Sequence, residues 1–275
     1  MQELGSGALA KMRVELAAPV RYLLPLGESE LPLNPLIGQR LRLEFLGVIS
    51  CCHCRRLTRR SFAQGYCFPC FKRLARCDSC IVKPETCHFH QGTCREPEWG
   101  LQSCMSDHLV YLANSSALKV GITRVSQVPV RWIDQGATQA RPLLRVATRQ
   151  VSGFAEILFG ESVADKTNWR AMLQGAAPTR ELDADAATLL ERHRLGLDNL
   201  RIRFGTEAIT VLENPATVTI EYPVLQYPRK AVSINLDKTP LVEATLLGIK
   251  GQYLIFDQGV LNVRNFGSYH VRLSA

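Results

Sequence analysis

All ten cysteines of this chain fall between Cys51 and Cys104, and the other four-fifths of the sequence has none. Cys51, Cys54, Cys67 and Cys70 follow the spacing C-x2-C-x12-C-x2-C. Each C-x2-C sets two thiols on one tight turn, and two such turns complete a tetrahedron around a metal ion. The stretch is too short to bury a core, so a bound metal would supply its folding energy. The spacing predicts a zinc site there, with Cys52 and His53 as bystanders inside the first turn. A secreted disulfide protein would spread its bridges more widely. Clustered thiols at short intervals read instead as metal ligands in a reducing compartment, and the expected location is the cytoplasm.

A second set follows, of Cys77, Cys80, Cys87, Cys94 and Cys104, with His88 and His90 among them. It holds more ligands than one ion needs. Cys77 and Cys80 form a half-site, and the preferred set is Cys77, Cys80, Cys87 and Cys94. His90 or Cys104 are alternatives to Cys94 for the last position. Four thiolates would also accept an iron–sulfur cluster, but zinc is preferred because nothing else points to redox chemistry. A closed four-ligand zinc is structural and carries no reaction.

The chain has 275 residues and a net charge of +8, enough for several modest domains and mildly disposed to polyanions. The charge is concentrated. Residues 51–76 carry Arg55, Arg56, Arg59, Arg60, Lys72, Arg73 and Arg76 and no acid. Such a run beside metal turns suits phosphate; the plain alternative is a solvated face. Phe62, Tyr66, Phe68 and Phe71 alternate with it and would stack on bases or pack beneath the metal turns. No stretch is long and apolar enough for a membrane helix, and residues 1–16 lack the apolar segment of a signal peptide.

Four segments are expected: a β-rich stretch over 1–50, the cysteine-rich region over 51–107, an α/β domain over 108–198 and a β-rich domain over 199–275. Residues 40–49 alternate, with Leu41, Leu43 and Phe45 on one face. Residues 108–175 read as strand, strand, helix, strand, helix, the last capped by Ser152 and divided in two. The polar stretch 165–169 would reach a pocket or cap a new helix at Thr167 or Asn168. Residues 180–195 read as helix, and 200–205, 216–225, 242–256 and 259–273 as strands. The fold class is α+β, with the N- and C-terminal strands joining in a small barrel around the inserted middle.

The hairpin 108–124 carries "LVY" and "KVG", the next helix "VRWID" and a later helix "FAEILFG". These resemble the motifs of the GIY-YIG nuclease superfamily over about residues 108–175, with Leu109 at the first Gly and Lys119 at the second Tyr. The resemblance implies a small α/β domain here, following the zinc region, whose paired cysteine turns read as ribbon-like or treble-clef-like. It implies Tyr111, Lys119, Arg131 and Glu156 as catalytic candidates for phosphodiester hydrolysis. Glu156 would hold Mg²⁺ and its waters, with Asp134 as a second carboxylate. Arg131 would clamp the phosphate, Tyr111 would act as base, and Lys119 would neutralise developing charge. Each has a simpler role as core aromatic, surface pair or solvated helix face. His108, just before the hairpin, is a candidate acid or base near neutral pH. Across the chain, "GYCFPCF", "KPETCHFHQGTC", "LKVGITR", "RWIDQGA" and "KTNWRAML" resemble the bacterial domain-of-unknown-function family 2797.

Three functions fit these residues. One is a zinc-containing, Mg²⁺-dependent endonuclease on DNA or RNA. A second is a nucleic-acid-binding or RNA-processing-associated protein on the same scaffold without turnover, with Arg55, Arg56, Arg59, Arg60, Lys72 and Arg73 as its contacts. The third is a zinc-stabilised module whose basic face meets an acidic protein.

Overall fold

The computed structural model describes residues 1–163 and 167–275. It is a mixed α+β structure. The chain opens with β1 (Glu3–Ala8), β2 (Arg13–Glu15), β3 (Arg21–Leu26), β4 (Ser29–Pro32) and β5 (Arg40–Ile49). The cysteine-rich stretch adds α1 (Phe68–Arg73), four short 3-10 turns and α2 (Pro97–Ser103). There follow β6 (His108–Asn114), β7 (Leu118–Arg124), α3 (Val130–Asp134), β8 (Gln139–Val146), α4 (Arg149–Gly160) and α5 (Trp169–Leu173). The chain closes with α6 (Leu182–Arg192), α7 (Arg194–Phe204), β9 (Ile209–Val211), β10 (Val218–Thr219), β11 (Leu241–Lys250), β12 (Tyr253–Phe256), β13 (Gly259–Asn262) and β14 (Tyr269–Ser274).

The N- and C-terminal strands share one antiparallel sheet of order β1-β14-β5-β11-β12-β13. Leu41 and Leu43 of β5 face its core, as the alternation requires. The expected barrel does not form: among the described residues no pairing joins the edge strands β1 and β13. β1 instead packs against the three-stranded sheet β2-β3-β4, where Leu9 bridges Leu26. Gly7 approaches Gly27 so closely that a Cβ on Gly7 would lie 2.7 Å from the Gly27 backbone. That edge is therefore covered without closure.

The second sheet has order β10-β8-β6-β7, with β9 also on β8. β6 is buried along its whole length. Its alternate side chains serve two cores: Val110 and Leu112 pack under α4, α6 and α7, while Tyr111 and Ala113 join Trp132 in the core of the six-stranded sheet.

Two local expectations are corrected. Residues 200–205 are not a strand but the end of α7. Leu200 and Phe204, one helical turn apart, pack on the helix-side core, whereas Ile202 points to solvent at 84% exposure. α4 is capped by Thr148, whose hydroxyl accepts from Val151 N, four residues before Ser152. Asn168 caps α5 by accepting from Ala171 N. Asp165 and Lys166 of the polar stretch lie outside the described residues.

Candidate metal centre and basic cleft

The first four cysteines converge. The sulfurs of Cys51, Cys54, Cys67 and Cys70 all lie within 4.8 Å of one another, and Cys54 Sγ is 3.6 Å from Cys67 Sγ. A tetrahedral zinc with Zn–S bonds of about 2.3 Å needs sulfurs about 3.8 Å apart. The donor set and spacing therefore fit a thiolate metal site. The backbone builds it from two turns. Arg55, in the left-handed region at φ 62°, returns the chain so that its N–H donates to Cys51 O. Cys67 precedes α1 and Cys70 lies in that helix, whose first turn accommodates Pro69. Burial opposes ionisation of Cys51, but hydrogen bonds from surrounding backbone hold its thiol down at about 6. Cys52 and His53 stay outside the four-sulfur group.

The second set is divided. Cys80, Cys87, Cys94 and Cys104 line one small enclosed cavity. Cys77 does not join them: it packs against the first cluster and lines a different cleft. Burial, with charge on Cys52, raises its thiol to about 11. Asp78, Cys80 and His88 also place ligand atoms within 4.8 Å of one another.

The basic run is exposed as expected: Arg55, Arg56, Arg59, Arg60, Lys72 and Arg73 all face solvent. None forms an ion pair with a carboxylate among the described residues. Phe62 stands 5.5 Å from Phe68 and 5.6 Å from Phe71, so these rings pack together within the run, with Phe68 half-exposed.

A cleft of about 530 Å³ lies between the cysteine-rich region, the second sheet and the C-terminal strands. Arg76, Arg124, Arg131, Arg149 and Arg264 line it, and none of the five pairs with a carboxylate among the described residues. Its two acids are already engaged. Asp78 holds Arg95 Nε at 2.8 Å, and Asp134 pairs with Lys11 and accepts from Gln252 Nε2 at 2.9 Å. Arg149 Nε has no partner among the described residues. Burial lowers the pKa of Arg149, and nearby Arg131 adds to that. Arg124 ends the "LKVGITR" stretch, whereas Arg149 and Arg264 lie in none of the motifs quoted above; only the tertiary fold brings the three together.

The hairpin candidates occupy the floor beside this cleft. Tyr111 pairs in register with Gly121, and a Cβ there would lie 2.8 Å from Tyr111 Cζ and Oη. The glycine thus makes room for the ring. Tyr111 is fully buried, edge-on to Trp132 at 5.9 Å, and donates to Gln135 Oε1 at 2.9 Å. Burial raises its pKa to about 12; the Arg131 guanidinium opposes this and Glu156 adds to it. Tyr111, Arg131 and Glu156 are therefore in electrostatic reach of one another. Lys119 is buried and lines a neighbouring cavity of about 460 Å³ that meets the cleft at Gln64, Asp134 and Arg264. His108 is buried, donates from Nδ1 to Ser106 O at 2.7 Å, and is held down to about 4 by burial. A larger, mostly apolar cavity of about 720 Å³ on the N-terminal strands shares no lining residue with the cleft.

These features define an α+β protein with a four-cysteine cluster able to hold a metal such as zinc, and a cleft lined by five arginines that form no ion pair among the described residues. The chain belongs to the family described as "Protein of unknown function (DUF2797)", which it matches over residues 38–271. No curated protein and no solved structure matches it. Among the described residues no helix is long and apolar enough to cross a membrane.

Proposed function

We propose that this chain binds nucleic acid, DNA or RNA, in the arginine-lined cleft, with zinc on the first four cysteines holding one wall in place. The observation that carries this reading is the convergence of Arg76, Arg124, Arg131, Arg149 and Arg264 on one cleft, with no ion pair to a carboxylate among the described residues. The five guanidinium groups outnumber the cleft's two carboxylates, both engaged elsewhere, so an entering anion would balance the excess charge, and their planar forks match phosphate oxygens. The exposed basic run from Arg55 to Arg73 extends the electropositive surface on the cysteine-rich side.

The test is fluorescence anisotropy of labelled single- and double-stranded DNA and RNA across a salt series. Binding should weaken steeply with salt, and Arg76→Gln or Arg124→Gln should each lower the slope by about one phosphate equivalent. A flat salt dependence, or slopes unchanged in both variants, refutes the reading. Tight binding only to an acidic protein would support the interaction-module alternative.

The proximity of Tyr111, Arg131 and Glu156 favours a second reading, phosphodiester hydrolysis with Mg²⁺ held by Glu156. Against it, the Tyr111 hydroxyl is buried and its proton is engaged by Gln135, so it cannot accept a proton from water without opening of the core. The same substrates with Mg²⁺ or Mn²⁺ decide the matter. Cleavage that disappears in Glu156→Ala establishes turnover, and binding without cleavage leaves the hairpin as scaffold.

A further inference from the structure

The stretch from Asp78 to Cys104 is built almost wholly of short turns. Among the described residues, none of its side chains belongs to a hydrophobic cluster. Its 3-10 turns at Ser79–Ile81, Pro84–Thr86 and Phe89–Gln91 and the seven-residue α2 are too short to be stable as isolated elements. What they share is one small cavity that Cys80, Cys87, Cys94 and Cys104 all line, their sulfurs more widely spread than the 4.8 Å of the first set. We infer that these four thiols form a second zinc site, closed and tetrahedral, that folds this stretch.

The alternative ligand sets are used elsewhere. Asp78 Oδ2 accepts from Arg95 Nε at 2.8 Å and faces His88 Nε2 at 3.4 Å, while Oδ1 accepts from Ser79 N at 2.7 Å. His88 Nδ1 meets Thr93 Oγ1 at 2.7 Å. Asp78 and His88 are thus satisfied by protein partners and brace the turn that presents Cys80. Cys77 lies with the first cluster and the cleft, so the apparent Cys77–Cys80 half-site is split between two environments. Gly100 lets α2 approach: a Cβ there would lie 3.0 Å from Phe89 Cδ2 and 3.2 Å from Cys94 Sγ.

The site also places a cleft residue, a consequence that rests on the nucleic-acid reading above. α4 docks on this stretch through Arg149 Nη2 to Ile81 O at 2.7 Å, Arg149 N to Cys104 O at 2.8 Å and Gln150 Nε2 to Cys87 O at 2.9 Å. Gly153 seats against Pro84 and Glu85, where a Cβ would meet backbone at 2.7 Å. Zinc at the second site therefore fixes the turn that aims Arg149 into the cleft.

Metal content of the full chain tests the inference without reference to any nucleic acid. Elemental analysis should find about two zinc ions per chain in the wild type, about one in Cys104→Ser and about two in Cys77→Ser. About one zinc in the wild type, iron in place of zinc, or loss in Cys77→Ser with retention in Cys104→Ser overturns it. Should Cys104→Ser fail to fold, alkylation of the wild type mapped by mass spectrometry gives the answer. Cys80, Cys87, Cys94 and Cys104 should become reactive together when a chelator is added, whereas exposed Cys52 reacts beforehand. Modification of any of the four as fast as Cys52 before chelation overturns the site. Loss of nucleic-acid binding with two zinc ions retained would count against the cleft reading alone.

Discussion

Replacing His108 by Asn should flatten the acid side of the stability profile by an amount that can be worked out in advance. The imidazole is fully buried at the start of β6, and burial holds its pKa at about 4 against a model-peptide value of 6.5. The folded state therefore keeps it neutral where the unfolded state takes a proton. More protons bound by the unfolded chain means stability falls as pH drops, starting near the unfolded pKa and continuing to the folded one. Between pH 7 and pH 5 the loss is about 2 kcal/mol, from a shift worth about 1.4 kcal/mol per pH unit. Asn keeps a donor for Ser106 O, which accepts from His108 Nδ1 at 2.7 Å, and does not titrate. Its loss of packing is a constant offset. Urea unfolding of zinc-loaded wild type and His108→Asn, in paired runs from pH 7 to pH 5, isolates the histidine from any acid loss of metal common to both. The stability difference between the two proteins should shrink by about 2 kcal/mol over that range. A difference that stays constant would mean that His108 is solvated or charged in the folded protein, and the reasoning from burial would be refuted.

Two further outcomes follow from buried groups. Gly121→Ala should destabilise the protein by about 1–3 kcal/mol in urea unfolding, because the Tyr111 ring, pinned by Trp132 and Gln135, cannot yield to the new methyl. Adding Tyr111→Leu should recover part of that loss, and strict additivity of the two changes would show that the contact is relaxed elsewhere. Lys250 is buried between Tyr222 and Tyr227, donates to Gly175 O at 3.0 Å and is lowered to about 8 by burial. The unfolded chain keeps that proton at higher pH than the folded one, so its contribution to stability rises as pH climbs above about 8. Lys250→Met should keep or raise the neutral-pH Tm and remove that alkaline gain, as melts between about pH 7 and pH 9.5 would show. A sharp loss of Tm at neutral pH would instead mean that the ammonium is favourably held by its partners.

The local patterns were legible where one physical rule acts alone. Alternation over residues 40–49 marked β5 because one face of that strand packs on a core and the other does not. The first cysteine set was legible because its ligands sit on two turns whose spacing is itself the geometry. Residues 200–205 misled because Leu200, Ile202 and Phe204 fit a period of two as well as a helix that buries only the first and last. Cys77 misled for a related reason. C-x2-C makes a half-site only when both thiols face one side. Here Asp78, whose carboxylate accepts from Ser79 N, starts a new 3-10 turn between them.

Tyr111 shows how little of a residue's surroundings its type and its strand position record. The sequence puts a tyrosine opposite a glycine on a hairpin, and the structure keeps that pairing. It also closes Trp132, Gln135 and the six-stranded sheet over the ring, and no short-range pattern records that. The cleft arginines are the converse case. Arg76, Arg124, Arg131, Arg149 and Arg264 come from five separate segments; Arg131 and Arg76 were legible as phosphate candidates, but Arg124, Arg149 and Arg264 each read alone as an ordinary surface cation. Their meaning comes from the cysteine turns. These interrupt the chain between β5 and β6, bind the start of α4 through Ile81, Cys87 and Cys104, and meet the C-terminal sheet where Ser268 Oγ donates to Gly65 O. The cysteine-rich stretch thus touches both sheets that form the cleft. Stripping its metal should disperse the arginine cluster before either sheet unfolds.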